Sequence, residues 1–223
     1  MKNILDKDVE KILYSERELG KMISRLGKQI SEDYKDKNLL LVSILKGSVV
    51  TMADLMRAIT IPCRIEFMVV SSYGSGHTSS GSVRIIKDLD CPLEEFDVLI
   101  VEDILDSGIT LNYLRGLLLD RKPKSLKICT LLDKPEGRRV ELKADYVGTN
   151  IPNAFIVGYG LDYAEKYRNL PYIGILKKSV YENAEKADEW APVRNEKLKQ
   201  AAEQAKAEAE ADKAAGDGTP QGE

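Results

Sequence analysis

The chain has 223 residues, of which 43% are hydrophobic and 31% are charged, a balance typical of one large globular domain or two small ones. A formal net charge of −3 argues against non-specific binding to nucleic acid or to an anionic membrane, and no apolar run approaches the ~18 residues that a transmembrane helix needs. The N-terminus lacks the apolar stretch of a signal peptide and the three cysteines are widely spaced, so we expect a cytoplasmic protein without a disulfide or zinc framework.

Hydrophobic periodicity predicts an alternation of helices and strands in the first part of the chain. Apolar residues recur at helical spacing within residues 7–35, which predicts an amphipathic helix there. Strands are predicted at four apolar runs, residues 38–45, 63–72, 97–101 and 125–132. Further helices are predicted over residues 47–60 and 108–120. This alternation predicts an α/β domain built on a parallel sheet that helices flank.

The later segments carry weaker patterns. Residues 73–82 are rich in glycine and serine and are predicted to form a loop, with a short strand following in 83–89. Three more short strands are expected to wrap over or extend the sheet, within residues 145–152, 154–160 and 172–176.

The end of the chain differs in composition from the rest. Beyond Leu198 no large apolar residue is present, so a helix formed there would have no apolar stripe to bury. We therefore predict one domain over residues 1–188 and a polar tail over 189–223 that is rich in Ala, Glu and Lys and is disordered or loosely helical.

Two adjacent acids mark the end of the strand predicted at 97–101. Glu102 and Asp103 follow this strand directly, and ligands of open parallel sheets bind beyond the carboxyl ends of the strands. Paired carboxylates accept hydrogen bonds from two hydroxyl groups, as on a vicinal diol, and they also attract a divalent cation. The pair therefore indicates a diol or cation site.

A phosphate cradle is predicted a few residues later. Gly108 permits close approach of the backbone to a ligand, Ser107 and Thr110 supply hydroxyl donors, and the helix N-terminus adds free N–H groups and the positive end of its dipole. Together with the acid pair, these groups predict a ribose 5-phosphate site. In the alternative interpretation, Asp106 or Ser107 merely caps the helix and the acid pair lies on a solvated strand end.

Five separated segments carry a family resemblance: "VLIVEDILDSGITL", "LVSILKGSVVTMADL", "SSYGS", "LLDKPEGRR" and "DYVGTNIPNAFIVGYGLDYAEKYRNLPYIGIL". The first is similar to the signature of the type I phosphoribosyltransferases, which bind phosphoribosyl pyrophosphate. The other four narrow the resemblance to the hypoxanthine-guanine phosphoribosyltransferases. The resemblance spans about residues 8–180 in consistent order and leaves out the tail.

This resemblance implies a parallel sheet flanked by helices, with a small hood over the carboxyl ends of the strands. It implies a glycosyltransferase of purine salvage that moves the 5-phosphoribosyl group from phosphoribosyl pyrophosphate to N9 of hypoxanthine or guanine, giving IMP or GMP and pyrophosphate. It also implies Mg²⁺ as cofactor, 6-oxopurine bases as substrates, and a homodimer or homotetramer in the cytoplasm. Nucleic acids and membranes are not expected as partners.

The resemblance assigns the donor site residue by residue. Glu102 and Asp103 match the pair that holds the ribose hydroxyls. The residues that match the 5-phosphate loop are Asp106, Ser107, Gly108, Ile109 and Thr110. Asp106 also matches the general base that takes the proton from purine N7, a role in which a carboxylate helps by proton transfer and by charge. Ile109 stands where some relatives carry a lysine, so the phosphate contacts would rest on backbone groups, hydroxyls and the helix dipole.

The pyrophosphate and metal sites are assigned in the same way. Lys46, Gly47 and Arg168 match groups that bind pyrophosphate, and the resemblance implies that the peptide before Lys46 can be cis. Asp162 matches the ligand of a magnesium ion bound to pyrophosphate. The acid pair, Glu102 and Asp103, supplies further candidate ligands for the metal.

The purine site and a lid complete the assignment. Lys134 matches the donor to purine O6, Phe155 matches the aromatic ring that stacks on the base, and Ile156 matches the residue whose backbone contacts the base edge. Judged alone, Phe155 in its apolar run would be predicted to lie in the core. Ser72 and Tyr73 match the start of a mobile lid, and a loop rich in glycine and serine suits such a movement.

Two alternatives remain open at this point. A regulator with this fold would sense a nucleotide without catalysis, and it should lack the base or carry a surface for nucleic acid. Asp106 and Lys134 are both present and no basic helix-turn-helix segment is found, which favours the enzyme. A transferase acting on another base would follow if Lys134 is misassigned.

Overall fold

The computed structural model describes residues 3–72 and 83–182 of the chain. The strands in these residues are β1 (Val9–Tyr14), β2 (Leu39–Leu45), β3 (Cys63–Ser72), β4 (Val83–Lys87), β5 (Asp97–Leu105), β6 (Ser125–Asp133), β7 (Tyr146–Asn150), β8 (Ile156–Val157) and β9 (Ile173–Leu176). The α-helices are α1 (Glu16–Asp33), α2 (Val49–Ala58), α3 (Ile109–Leu119) and α4 (Lys178–Tyr181).

Six strands form the central sheet in the order β4-β3-β2-β5-β6-β7. All neighbours pair in parallel except β4, which runs antiparallel to β3 at one edge. In the middle of the sheet, Leu41 lies opposite Ile65 on one side and Leu99 on the other. The predicted α/β class and parallel sheet are confirmed, and β7 extends the sheet as the later pattern suggested.

A second, antiparallel sheet has the order β1-β9-β8. The chain between β8 and β9 reaches over the carboxyl end of β2, where the Glu165 carboxylate lies 3.0 Å from Lys46 Nζ. This part of the molecule is the hood that the sequence resemblance implied.

The N-terminal segment differs from its prediction. Residues 7–35 do not form one helix, because Val9–Tyr14 pairs with β9 as a strand. The helix begins only at Glu16, where the Ser15 hydroxyl accepts from the Glu18 N–H and the Glu18 carboxylate accepts from the Ser15 N–H at 2.8 Å. This reciprocal cap satisfies N–H groups that a helix start leaves open, and it sets the boundary.

The central sheet is covered on both faces by apolar side chains. Along β2, Leu39 and Leu41 pack on the side of α1 and α2, whereas Leu40 and Val42 pack on the side of α3. Successive residues of a strand point to opposite faces, so a strand buried on both sides is expected to be largely apolar. This explains why the apolar runs of the sequence identify the strands of the sheet.

The chain divides into two units, Met1–Val180 and Tyr181–Glu223. The domain boundary predicted after residue 188 and the predicted tail, 189–223, lie outside the described residues and stay predictions, as does the loop predicted at 73–82. Among the helices of the described part, none combines the length and the apolar character that crossing a lipid bilayer requires.

A pair of glycine substitutions in α1 tests how closely α1 and α2 pack. A Cβ atom at Gly27 would lie 2.6 Å from the Ala58 Cβ and 2.7 Å from its carbonyl oxygen. Gly27→Ala should therefore lower the free energy of unfolding by about 1–3 kcal/mol, because the helices must separate.

Gly20→Ala is the matched control in the same helix. Nothing lies within 4 Å of a Cβ at Gly20, so this variant should gain up to about 1 kcal/mol from the better helix propensity of alanine. Urea unfolding of both variants measures the difference, and equal stabilities would contradict the close packing at Gly27.

Candidate functional site

The carboxyl ends of three neighbouring parallel strands gather most of the predicted site residues at one edge of the central sheet. Lys46 and Gly47 follow β2, residues 106–110 follow β5, and Lys134 follows β6. Because β5 lies between β2 and β6, these segments are neighbours in space. Ligands of open α/β sheets bind at this edge, so the arrangement suits a ligand site.

The acid pair lies within a strand and not beyond its end, so that part of the prediction was wrong. β5 continues to Leu105 because β6 runs beside it, with Leu105 opposite Asp133. Asp103 is only 8% exposed, and its carboxylate fills the space beside Gly47, where a Cβ would overlap it. Within residues 3–72 and 83–182, no ion pair involves Glu102 or Asp103.

Burial of this pair disfavours its charged form. Burial raises the pKa of Asp103 to about 6, although the Ile104 N–H donates to its carboxylate at 2.7 Å and opposes the shift. Burial and the neighbouring Asp103 charge raise the pKa of Glu102 well above its usual range. A ligand that brings hydroxyl donors or a cation would relieve this cost.

The described residues alone do not enclose a metal ion. No group of three or more His, Cys, Asp or Glu side chains gathers in residues 3–72 and 83–182 in a way that could hold one. Carboxylate oxygens are nevertheless the ligands that Mg²⁺ prefers, and Mg²⁺ commonly binds through one or two of them together with substrate phosphates. Glu102, Asp103 and Asp162 are the candidate carboxylates, of which one or two would hold a metal in that way.

The turn between β5 and α3 leaves the start of the helix open. Gly108 precedes α3 with φ +76°, and no side chain caps the helix. The alternative that Asp106 or Ser107 serves as the cap is therefore wrong. The turn is fixed from outside by the Arg139 N–H, which donates to the Ser107 carbonyl at 3.0 Å. Ile109 and Thr110 form the first turn of α3, whose N–H groups are suited to an anion.

Asp106 and Lys134 form an ion pair across the ends of β5 and β6. The Lys134 Nζ lies 3.0 Å from Asp106 Oδ2, and the lysine side chain is mostly buried. The Lys134 backbone N–H donates to the Leu105 carbonyl at 3.0 Å, which ties the two loops together. A Cβ at Gly137 would overlap the Asp106 carboxylate, so the absence of a side chain there makes room for this group.

Arg138 connects the ends of β5 and β6 through hydrogen bonds, and the sequence analysis had given it no role. Its guanidinium donates to the Leu142 carbonyl at 2.9 Å, to the Leu105 carbonyl at 3.3 Å and to the Asp133 carboxylate. Gly137 was missed as well. The only signal for either residue was their position in the quoted segment "LLDKPEGRR".

A cluster of charges joins the loop after β2 to the loop between β8 and β9. Arg168 Nη2 lies 2.8 Å from Asp162 Oδ1, and Arg168 Nη1 donates to the Gly160 carbonyl at 2.8 Å. Glu165, which had no predicted role, lies between Lys46 and Arg168. The peptide bond Leu45–Lys46 is cis, as the resemblance implied.

The aromatic residue predicted to stack on a base lies at the surface. Phe155 is 40% exposed, and its ring meets the edge of the Tyr163 ring at a centroid distance of 5.5 Å. Ile156 begins β8 and is buried opposite Ile175. The core position that the apolar run alone would predict for Phe155 is therefore wrong.

Only part of the predicted lid is described. Ser72 is the last residue of β3, and Tyr73 lies outside the described residues. The lid function of these two residues stays a prediction.

Comparison with known proteins agrees with this geometry. A family model for the phosphoribosyl transferase domain matches residues 10–164. A hypoxanthine-guanine phosphoribosyltransferase of Streptococcus pyogenes serotype M3 is 56% identical over 178 residues, which cover 80% of this chain and 99% of the relative. The Bacillus subtilis protein of the same name is 55% identical over 176 residues, which cover 79% and 98%. The crystal structure of a Staphylococcus aureus hypoxanthine phosphoribosyltransferase is 50% identical, with a TM-score of 0.79 over 81% of this chain and 98% of that one.

The raised pKa of Asp103 predicts a pH-dependent stability. Its pKa of about 6 in the folded protein exceeds the ordinary value of 3.8, so the folded state holds the proton more tightly than the unfolded state. Ionised Asp103 therefore destabilises the fold above pH 6, and this cost shrinks as the pH falls towards 4.

Asp103→Asn removes the titrating group. As the pH falls from 7.5 to 5, the free energy of unfolding of the wild type should rise by about 1 kcal/mol relative to that of the variant. Chemical unfolding of both proteins in the presence of a metal chelator measures this difference. A difference that stays constant over this range would show that Asp103 titrates normally.

Proposed function

The chain belongs to the phosphoribosyltransferase family, and we propose that it transfers the 5-phosphoribosyl group from phosphoribosyl pyrophosphate to N9 of hypoxanthine or guanine. This reaction releases pyrophosphate and gives IMP or GMP, which makes the protein a glycosyltransferase of purine salvage. The observation that carries the proposal is the Asp106–Lys134 pair, 3.0 Å apart, beside a buried acid pair and an uncapped helix start.

The donor would bind across the acid pair and the start of α3. Glu102 and Asp103 accept hydrogen bonds from the two ribose hydroxyls, which add donors to carboxylates that have no ion pair among the described residues. The 5-phosphate lies against residues 106–110, where backbone N–H groups, the hydroxyls of Ser107 and Thr110 and the helix dipole stabilise its charge.

The pyrophosphate group needs local positive charge, because the protein has a net charge of −3. Lys46 and Arg168 supply it, and the backbone at Gly47 offers an N–H group without a side chain in the way. Asp162, Glu102 and Asp103 would hold Mg²⁺ together with the pyrophosphate oxygens. When bound, Mg²⁺ neutralises charge on the donor and so improves pyrophosphate as a leaving group.

The acceptor base would bind between the Asp106–Lys134 pair and Phe155. A 6-oxopurine presents the O6 acceptor to the Lys134 ammonium and the N7 proton to the Asp106 carboxylate, so its edge matches the pair. Asp106 takes the N7 proton as N9 attacks the ribosyl carbon, and its charge stabilises the oxocarbenium character that develops there. The exposed Phe155 ring stacks on the base, and the Ile156 backbone contacts its edge.

The setting of the enzyme follows from the resemblance and from its cysteines. We propose a cytoplasmic homodimer or homotetramer with a lid that starts at Ser72 and Tyr73. Cys63, Cys91 and Cys129 are all free thiols, which suits a reducing compartment.

The choice of base tests the proposed function and the role of Lys134. An ammonium group can only donate, and the 6-amino group of adenine also donates, so adenine would set two donors against each other where a 6-oxopurine offers Lys134 an acceptor. We expect kcat/KM for adenine to be at least ~10³ below that for hypoxanthine. Lys134→Gln should narrow this gap, because glutamine offers either a carbonyl or an amide.

Steady-state rates with hypoxanthine, guanine, xanthine and adenine, at saturating phosphoribosyl pyrophosphate and Mg²⁺, provide the measurement. No turnover of any base would refute the proposed function. Comparable wild-type rates for adenine and hypoxanthine would refute the assignment of Lys134, and with it the specificity for 6-oxopurines, but not the transfer of the phosphoribosyl group.

A glycine substitution tests whether the position of the Asp106 carboxylate matters. Gly137→Ala places a Cβ where the carboxylate now lies, and the flexible acid must turn away. We expect kcat to fall by ~10²–10⁴-fold, as for loss of a general base, with little loss of stability. Gly116→Ala in α3 is the control, because nothing lies within 4 Å of its Cβ. Turnover of Gly137→Ala within a few-fold of this control would remove Asp106 from its proposed role.

A further inference from the structure

The two cations proposed to bind pyrophosphate already share an anion. One oxygen of the Glu165 carboxylate, Oε2, lies 3.0 Å from Lys46 Nζ and 3.5 Å from Arg168 Nη2. Lys46 and Glu165 are 119 residues apart in the chain, so the fold and not local geometry brings them together. A carboxylate oxygen between an ammonium and a guanidinium occupies the kind of position that a phosphate oxygen takes.

The partners of the two cations differ. Arg168 keeps two other strong partners, the Asp162 carboxylate and the Gly160 carbonyl, each at 2.8 Å. Within the described residues, the only ion pair of Lys46 is the one with Glu165. Glu165 therefore supplies the one carboxylate that pairs with Lys46 among the described residues.

The backbone holds the Glu165 carboxylate in this position. Ala164 and Glu165 have φ angles of 51° and 62°, a region that side-chain-bearing residues seldom adopt. The Glu165 N–H donates to Asp162 Oδ2 at 2.9 Å and secures this turn. The hydrogen bond from Lys46, aided by the charge of Arg168, lowers the pKa of Glu165, so the group is ionised at neutral pH.

We propose that the Glu165 carboxylate occupies the anion position between Lys46 and Arg168 in the ligand-free protein, and that pyrophosphate displaces it. This inference rests on the proposed function, because it assumes that these two cations bind pyrophosphate. Binding is then an exchange of one anion for another, in which the incoming phosphate gives up part of its attraction to break the existing pairs. Glu165 lowers the affinity for pyrophosphate and acts through Lys46 and Arg168 as a positioning residue.

Other roles for Glu165 predict a different change in pyrophosphate binding when its charge is removed. If Glu165 merely orients the two cations for their ligand, its loss would weaken pyrophosphate binding. If the pairs are ordinary surface ion pairs, its loss would change binding little. Displacement predicts tighter binding after the charge is removed, so the sign of the change separates it from these two alternatives.

Titration calorimetry of inorganic pyrophosphate in the presence of Mg²⁺ tests this sign on the full chain. Glu165→Gln keeps the size of the side chain and removes its charge, and it should lower the dissociation constant about three- to tenfold, the range for losing competing ion pairs of modest strength. Glu165→Asn should tighten binding as well. Asparagine tolerates a positive φ, so this second variant keeps the test valid if glutamine disturbs the local backbone.

Glu95→Gln is the matched control. Glu95 pairs with Lys124 at 3.2 Å in an exposed ion pair, so the variant makes the same change in net charge away from the site. Its dissociation constant should equal that of the wild type. In steady-state assays, inhibition by pyrophosphate should become stronger in the Glu165 variants and not in the control.

The failures of the two proposals are distinguishable. A wild-type protein that does not bind pyrophosphate would overturn the proposed function. A wild type that binds pyrophosphate with an affinity that the Glu165 substitutions leave unchanged or weaken would overturn the displacement and leave the proposed function standing.

Discussion

Two adjacent carboxyl groups with no ion pair among the described residues are the constraint on which the site depends. Asp103 and Glu102 sit in β5, where the pKa of both carboxyl groups is raised, mainly by burial. β5 is a central strand, so the surrounding core fixes the pair in place. Unlike Lys46, Lys134 and Arg168, the acids have no ion pair within the described residues. A ligand with a diol and an associated cation would relieve the cost of burying this pair, which is the reason for proposing it as part of the donor site.

Glycine residues, which have no side chain, allow the loops of the site to approach one another closely. A Cβ at Gly47 would overlap the Asp103 carboxylate, and one at Gly160 would overlap the Gly47 carbonyl. Gly137 makes the same kind of room for Asp106. These contacts join segments that are distant in the chain, so each glycine serves a tertiary contact more than a local turn. The site is therefore as sensitive to small added groups as to loss of its charged residues.

Much of the fold and part of the site followed from local sequence pattern. The central strands are largely apolar because both faces of the sheet are covered, and the Asp106–Thr110 turn carried its own signal. β1 escaped prediction because its strand partner, β9, lies far along the chain and the neighbouring apolar residues fit a helix. β5 was predicted too short because its last residues depend on β6 for pairing. Phe155 and Glu165 depend on tertiary placement, and no periodicity describes that.

The arrangement of charges explains how a chain with a net charge of −3 can serve a polyanionic donor. Attraction at long range would require a positive surface, which the composition does not provide. Instead, each cation of the site forms an ion pair with a carboxylate of the protein. Lys134 and Asp106 present a donor and an acceptor that match a neutral base edge, so the base can bind without adding charge to the site. In the exchange proposed above, Lys46, Glu165 and Arg168 would play the corresponding part for the donor, with one anion replacing another. In the base site and in the donor site alike, no cation is left without a carboxylate. This requirement accounts for the acids that accompany the cations at this edge of the sheet.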